Sequence, residues 1–133
     1  MQIEIFALCQ SAKFDGSNLS IFGIFDTVRA KTFPADISGS VLVKIRFELG
    51  EEGERKSEII LVDAYMRPVA IGGNIIKSEQ NMQIQILNNR SSSHFHIWDQ
   101  QKFSIVKAGD YFFELKVDGQ TKGRIPFYFW QNA

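Results

Sequence analysis

Cysteine occurs once in these 133 residues, proline three times and histidine twice. No apolar run reaches the roughly eighteen residues that a membrane-spanning helix needs, so a bilayer-crossing role is not expected. Met1-Gln2-Ile3-Glu4-Ile5 has neither the basic start nor the apolar stretch of a secretory signal. Cys9, without a second cysteine, forms no intrachain disulfide, which agrees with a reducing compartment and makes the cytoplasm the expected location. Net charge is lacking too: fifteen basic residues balance fifteen acidic ones, leaving no field to draw the chain to nucleic acid. Catalytic signatures are absent, with no GxSxG elbow, phosphate-binding loop, dinucleotide fingerprint or CxxC pair. The expectation is a protein that is not an enzyme and carries no cofactor.

What the chain has in quantity is phenylalanine, twelve residues of it, together with β-branched residues in short runs. That composition favours strands. Gln2 to Gln10 alternates, placing Ile3, Ile5, Ala7 and Cys9 on one face and Phe6 and Leu8 on the other, so both faces of that strand should be covered and Cys9 should be a small buried apolar residue. Asp15-Gly16-Ser17-Asn18 turns the chain into a second strand, Leu19 to Phe25, where Gly23 suggests a bend. Pro34 makes Phe33 to Gly39 a crossing loop. Val41, Val43, Ile45, Phe47 and Leu49 then alternate with Lys44, Arg46 and Glu48, the pattern of one buried and one wet face. Glu58 to Asp63 reads as a central strand, Gly72-Gly73 as a bulge, and Met82, Ile84 and Ile86 as an inward series. Near Trp98 the alternation sets Phe95 and Ile97 inward and His94, His96 and Trp98 on the opposite face. With a further short run from Lys102 to Val106 this makes about nine strands at roughly ten-residue spacing. The predicted architecture is all-β, a single-domain β-sandwich of immunoglobulin-like type over residues 1–133.

The last third carries the sharpest local signal. Tyr111, Phe113, Leu115 and Val117 form one apolar face, and Asp118-Gly119 turns the chain back toward Phe127-Tyr128-Phe129-Trp130. Keeping apolar opposite apolar pairs Leu115 with Gly123, Phe113 with Ile125 and Tyr111 with Phe127. That register requires either a three-residue loop or a two-residue turn corrected by a bulge near Gly123. Tyr111 enters a late strand just after a turn, the place where immunoglobulin-type sandwiches set a tyrosine whose hydroxyl bonds back to upstream backbone.

Several segments in order, Leu8-Cys9-Gln10-Ser11-Ala12, Leu19 through Val28, Phe33-Pro34, Ile45-Arg46-Phe47, Glu52-Gly53-Glu54, Leu61-Val62-Asp63, Arg67-Pro68-Val69 and Ala108 through Gly119, together resemble a family of short bacterial all-β proteins of unknown function. The resemblance implies a sandwich-like domain and carries over no catalytic residues. Where that family turns on an Asp-Gly-rich segment, this chain has Ala64-Tyr65-Met66.

Two groups of side chains bear on function. Phe112, Tyr128 and Trp130 lie on the hairpin face opposite the core, interleaved with Glu114, Lys116, Lys122 and Arg124, a mixture suited to a protein partner or to self-association. A flat aromatic strip also suits sugars, which makes a carbohydrate-binding module one alternative. The other is a metal-dependent enzyme built on His94 and His96, whose spacing on a strand projects both imidazoles from one face. A third histidine is lacking, and a surface strand with two polar faces accounts for the pair.

Overall fold

The computed structural model describes residues 1–132, and among them no helix is long and apolar enough to cross a membrane. The strands are β1 (Gln2–Phe14), β2 (Leu19–Ile24), β3 (Thr27–Ala30), β4 (Ala35–Phe47), β5 (Gly53–Asp63), β6 (Ala70–Ile71), β7 (Asn74–Ile75), β8 (Lys77–Ile84), β9 (Ser92–Ile105), β10 (Gly109–Val117) and β11 (Gln120–Gln131). They make a four-stranded sheet in the order β2-β1-β4-β9, a five-stranded sheet in the order β3-β11-β10-β5-β8, and a small β6-β7 hairpin. The two large sheets pack face to face as an all-β sandwich. Leu8, Val41, Val43, Ile45 and Phe47 of the first sheet meet Ile59, Leu61, Phe113, Leu115, Phe127 and Phe129 of the second. Phe113, Phe127 and Phe129 stack in succession at 5.8 Å, each burial contributing roughly 2–3 kcal/mol.

The β10-β11 hairpin has the register expected from the sequence. Tyr111 pairs with Phe127, Phe113 with Ile125 and Leu115 with Gly123, and the ladder then shifts so that Lys116 pairs with Thr121. The shift leaves Lys122 as the extra residue of a bulge beside Gly123. Asp118 and Gly119 both take positive φ, 52° and 81°, as a two-residue turn matched to strand twist demands. Asp118 is held there, its carboxylate accepting the Lys56 backbone N–H and the Arg55 guanidinium. Tyr111 behaves as its position implied: its hydroxyl donates to the Lys107 carbonyl at 2.7 Å.

Other expectations are corrected. The stretch after Pro34 is not a loop, since β4 starts at Ala35 and pairs with β9 from Ala35↔Ile105 onward; a proline withholds only its own N–H and stops nothing beyond it. Lys102 to Val106 is not a separate run. β9 continues through Asp99 and Gln100 because the Ser40 hydroxyl, fully buried, donates to Asp99 Oδ1 at 3.0 Å and accepts the Gln100 N–H at 2.8 Å, tying a bulge into the ladder. Gly72-Gly73 is the turn of the β6-β7 hairpin rather than a bulge. Leu49 lies past the end of β4 and is exposed. In the Ala64-Tyr65-Met66 turn, Asp63 Oδ1 accepts the N–H groups of Tyr65 and Arg67 while Met66 takes φ 62°.

A bulge between Ile3 and Ile5 alters the alternation of β1, so Ile3, Phe6 and Leu8 face the main core while Ile5 and Cys9 face outward. Outward does not mean wet. Cys9, Ala12 and Leu42 form a second apolar cluster on the far face of the four-stranded sheet, roofed by Ile5, Leu19, Ile21, Phe95 and Ile97. Beyond Cys9, β1 leaves β4 and pairs with β2 alone, and Phe14 near the hairpin tip packs on Phe95 at 4.8 Å. Cys9 is therefore enclosed, with its thiol pushed up in pKa by that burial and directed at the Ser40 carbonyl.

Candidate functional site

Phe112, Tyr128 and Trp130 sit together on the outer face of the five-stranded sheet. β11 lies between β10 and β3, and its parallel pairing with β3 sets Tyr128 opposite Thr27 and Trp130 opposite Arg29. The Tyr128 and Trp130 rings are 5.6 Å apart, and the Arg29 guanidinium covers the Trp130 ring at 5.1 Å. Trp130 remains 39 % exposed, too much surface for a tryptophan serving only the interior. Phe112 is half-buried between Val62 and Pro126, its partners across the sheet.

Beside this aromatic row stands an ionic group. Glu114 points outward yet is only 6 % exposed. Burial opposes its ionisation, but bonds from Arg124 Nε at 2.9 Å and the Thr121 hydroxyl at 2.8 Å outweigh it and hold the carboxyl below its ordinary pKa. The face thus presents Trp, Tyr and Arg next to a satisfied charge, the residue types in which binding energy concentrates at protein interfaces. Arg29 is the member sequence reasoning missed, because its partner stands about a hundred positions along the chain and no local pattern joins them.

The histidines are placed differently from the expectation. His94 and His96 do share one face, but it is the interior face, with Trp98; Phe95 and Ile97 point outward into the second cluster. Trp98 packs edge-on against Phe103 and Phe113. His96, 1 % exposed, has both ring nitrogens engaged: Nδ1 lies 2.7 Å from the Ser57 hydroxyl on β5 and Nε2 lies 3.0 Å from the Ser78 hydroxyl on β8. A neutral imidazole offers one donor and one acceptor, and two hydroxyls complement both. Burial lowers its pKa from 6.5 to about 4. His94 Nε2 lies 3.0 Å from the Ser92 hydroxyl, and burial lowers its pKa as well. Among the described residues no three His, Cys, Asp or Glu side chains are grouped to hold a metal ion.

A family model matches nearly the whole chain. Residues 4–129 fit the family described as a family of unknown function, DUF6941. The chain belongs to that family. No curated protein matches it. The match to DUF6941 takes in Arg29, Phe112 and Tyr128 and ends one residue short of Trp130, and the family's description assigns this face no activity.

Proposed function

We propose that this DUF6941 chain is a non-enzymatic binding or assembly module, an immunoglobulin-like sandwich of the bacterial cytoplasm that meets a protein partner, or a second copy of itself, through the outer face of the C-terminal hairpin. The observation that carries the reading is the Arg29–Trp130–Tyr128 row, partly exposed on the outer sheet face and continued by Phe112. The immunoglobulin-like assignment is supported by the Tyr111 hydroxyl bonding back to Lys107. The cytoplasmic assignment is supported by the single, enclosed cysteine.

Sedimentation velocity across a wide concentration range tests the self-associating form. Wild type should show concentration-dependent association that Trp130→Ala and Arg29→Ala each weaken. A monomer at every concentration removes self-association and leaves a different protein as the partner. Elemental analysis tests the module against an enzyme: a stoichiometric transition metal in purified protein, lost in His96→Gln, would overturn the non-enzymatic reading.

A further inference from the structure

The two large sheets leave four strand edges, and three carry features that discourage pairing with another chain. β8 displays Lys77 and Glu79, both exposed. β3 is only four residues long. β2 is kinked by Gly23, whose φ of 64° leaves the extended region. Such charges, short lengths and bends are how edges are kept from pairing. The fourth edge, β9, is regular from Ser92 to Trp98 and holds no charged residue, proline or glycine over that span.

Backbone groups on this edge are already being read as a strand would read them. The Gln80 side-chain amide, rising from β8, donates to the Phe95 carbonyl at 2.9 Å. That carbonyl therefore points away from β4. In an antiparallel ladder the groups that point away recur at alternate residues, so Ser93 and Ile97 present theirs on the same side. Ser93, Phe95 and Ile97, with His94, Gln80 and Phe14, line an open groove of about 440 Å³ along this edge. Its apolar wall is Phe14, Phe95 and Ile97, and its polar wall is Gln80, Ser93 and His94.

We propose that the β9 edge from Ser93 to Ile97 is a strand-addition site for an extended, uncharged segment of a partner polypeptide. The segment adds a fifth strand to the four-stranded sheet by backbone hydrogen bonds, and its apolar side chains lie against Phe14, Phe95 and Ile97. Gln80 acts as a stand-in, its amide N–H occupying the acceptor that the incoming backbone N–H takes over. This surface is separate from the Trp130 face, so either can fail without the other.

An acetylated peptide of alternating threonine and valine, with a copy carrying proline at each valine, serves as the probe, read by amide chemical shifts of the full chain. The expected result is saturable shifts at Ser93, Phe95 and Ile97 with the first peptide alone. Gln80→Ala should tighten binding about fivefold, because a competing hydrogen bond worth about 1 kcal/mol is gone. Trp130→Ala should bind as wild type does. The proposal is overturned by shifts absent at those three amides, by equal binding of the proline copy, or by Gln80→Ala binding no tighter than wild type. Concentration-dependent broadening of the same amides in the protein alone would also overturn it, since a second copy would then be the occupant.

Discussion

Acid should weaken this fold through His96 before its carboxylates are affected. The imidazole is enclosed between the sheets and bonded to Ser57 and Ser78, with no anion among its bonding partners to offset a charge. Trp98 is on its own strand, Ile59 is two positions on from Ser57 on β5 and Met82 lies beyond Ser78 on β8, while Glu58 and Glu79 both pair with Lys77. Its pKa in the folded chain is about 4, against 6.5 when solvated. Between those values the unfolded chain binds a proton that the folded chain refuses, so stability rises with pH. The contribution is complete above pH 6.5 and is lost as pH falls toward 4. At about 1.4 kcal/mol per pH unit, the whole interval corresponds to about 3 kcal/mol, most of it lost between pH 7 and 4.5. Urea unfolding followed by tryptophan fluorescence at a series of pH values measures this directly, and His96→Gln supplies a neutral side chain with one donor and one acceptor group. Wild type should lose about 2–3 kcal/mol more than the variant over that range. Carboxylates with lowered pKa, such as those of Glu114 and Asp118, begin to lose their contribution only near the bottom of this range, and they are present in both proteins. His94 acts with the same sign but is present in both proteins, so the difference isolates His96. Equal losses in the two proteins, or an His96 imidazole titrating near 6.5 by NMR, would refute the reasoning.

Tyr111→Phe removes the bond to the Lys107 carbonyl without changing the ring and should cost about 1 kcal/mol in urea unfolding. Phe113→Ala, at a fully buried position between Trp98, Phe103 and Phe127, should cost about 3–5 kcal/mol and lower the thermal midpoint accordingly. Gly39→Ala places a methyl group 3.0 Å from the Cys9 carbonyl oxygen and 3.3 Å from the Phe25 ring, an overpacking of about 1–3 kcal/mol. Gly123→Ala meets only the flexible end of Ile3 within 3.4 Å and should cost less than Gly39→Ala in the same assay.

The parts of the fold that could be read from the sequence were those whose determinants are local. The β10-β11 register followed from Asp118-Gly119 and an alternation only a few residues long, and the bulge beside Gly123 from the need to keep apolar opposite apolar rather than Leu115 opposite Lys122. Alternation gives the two faces of a strand but not which one faces inward. β9 has Phe95 and Ile97 on one side and Trp98 on the other, and the serines that decide the matter lie 39 and 18 positions from His96. The second apolar cluster was half legible: β1 announced two covered faces, but not that Leu19 and Ile21 would supply the cover. The aromatic trio was placed correctly on one face, whereas Arg29 and the free β9 edge arise from pairings that no window of sequence contains.

The parallel pairing of β3 with β11 also sets an order of events. The contact from Gln131 to Lys31 spans 100 positions, and each ladder pair beside it, such as Trp130 with Arg29, spans one more. Closing so long a loop is among the slower steps available to a chain, and it is possible only after nearly all of the described residues have been synthesised. Until then Trp130 has no Arg29 beside it. A partner that requires the Arg29–Trp130–Tyr128 row therefore meets only molecules in which β3 and β11 have paired, so recognition doubles as a check that these two distant segments have found each other.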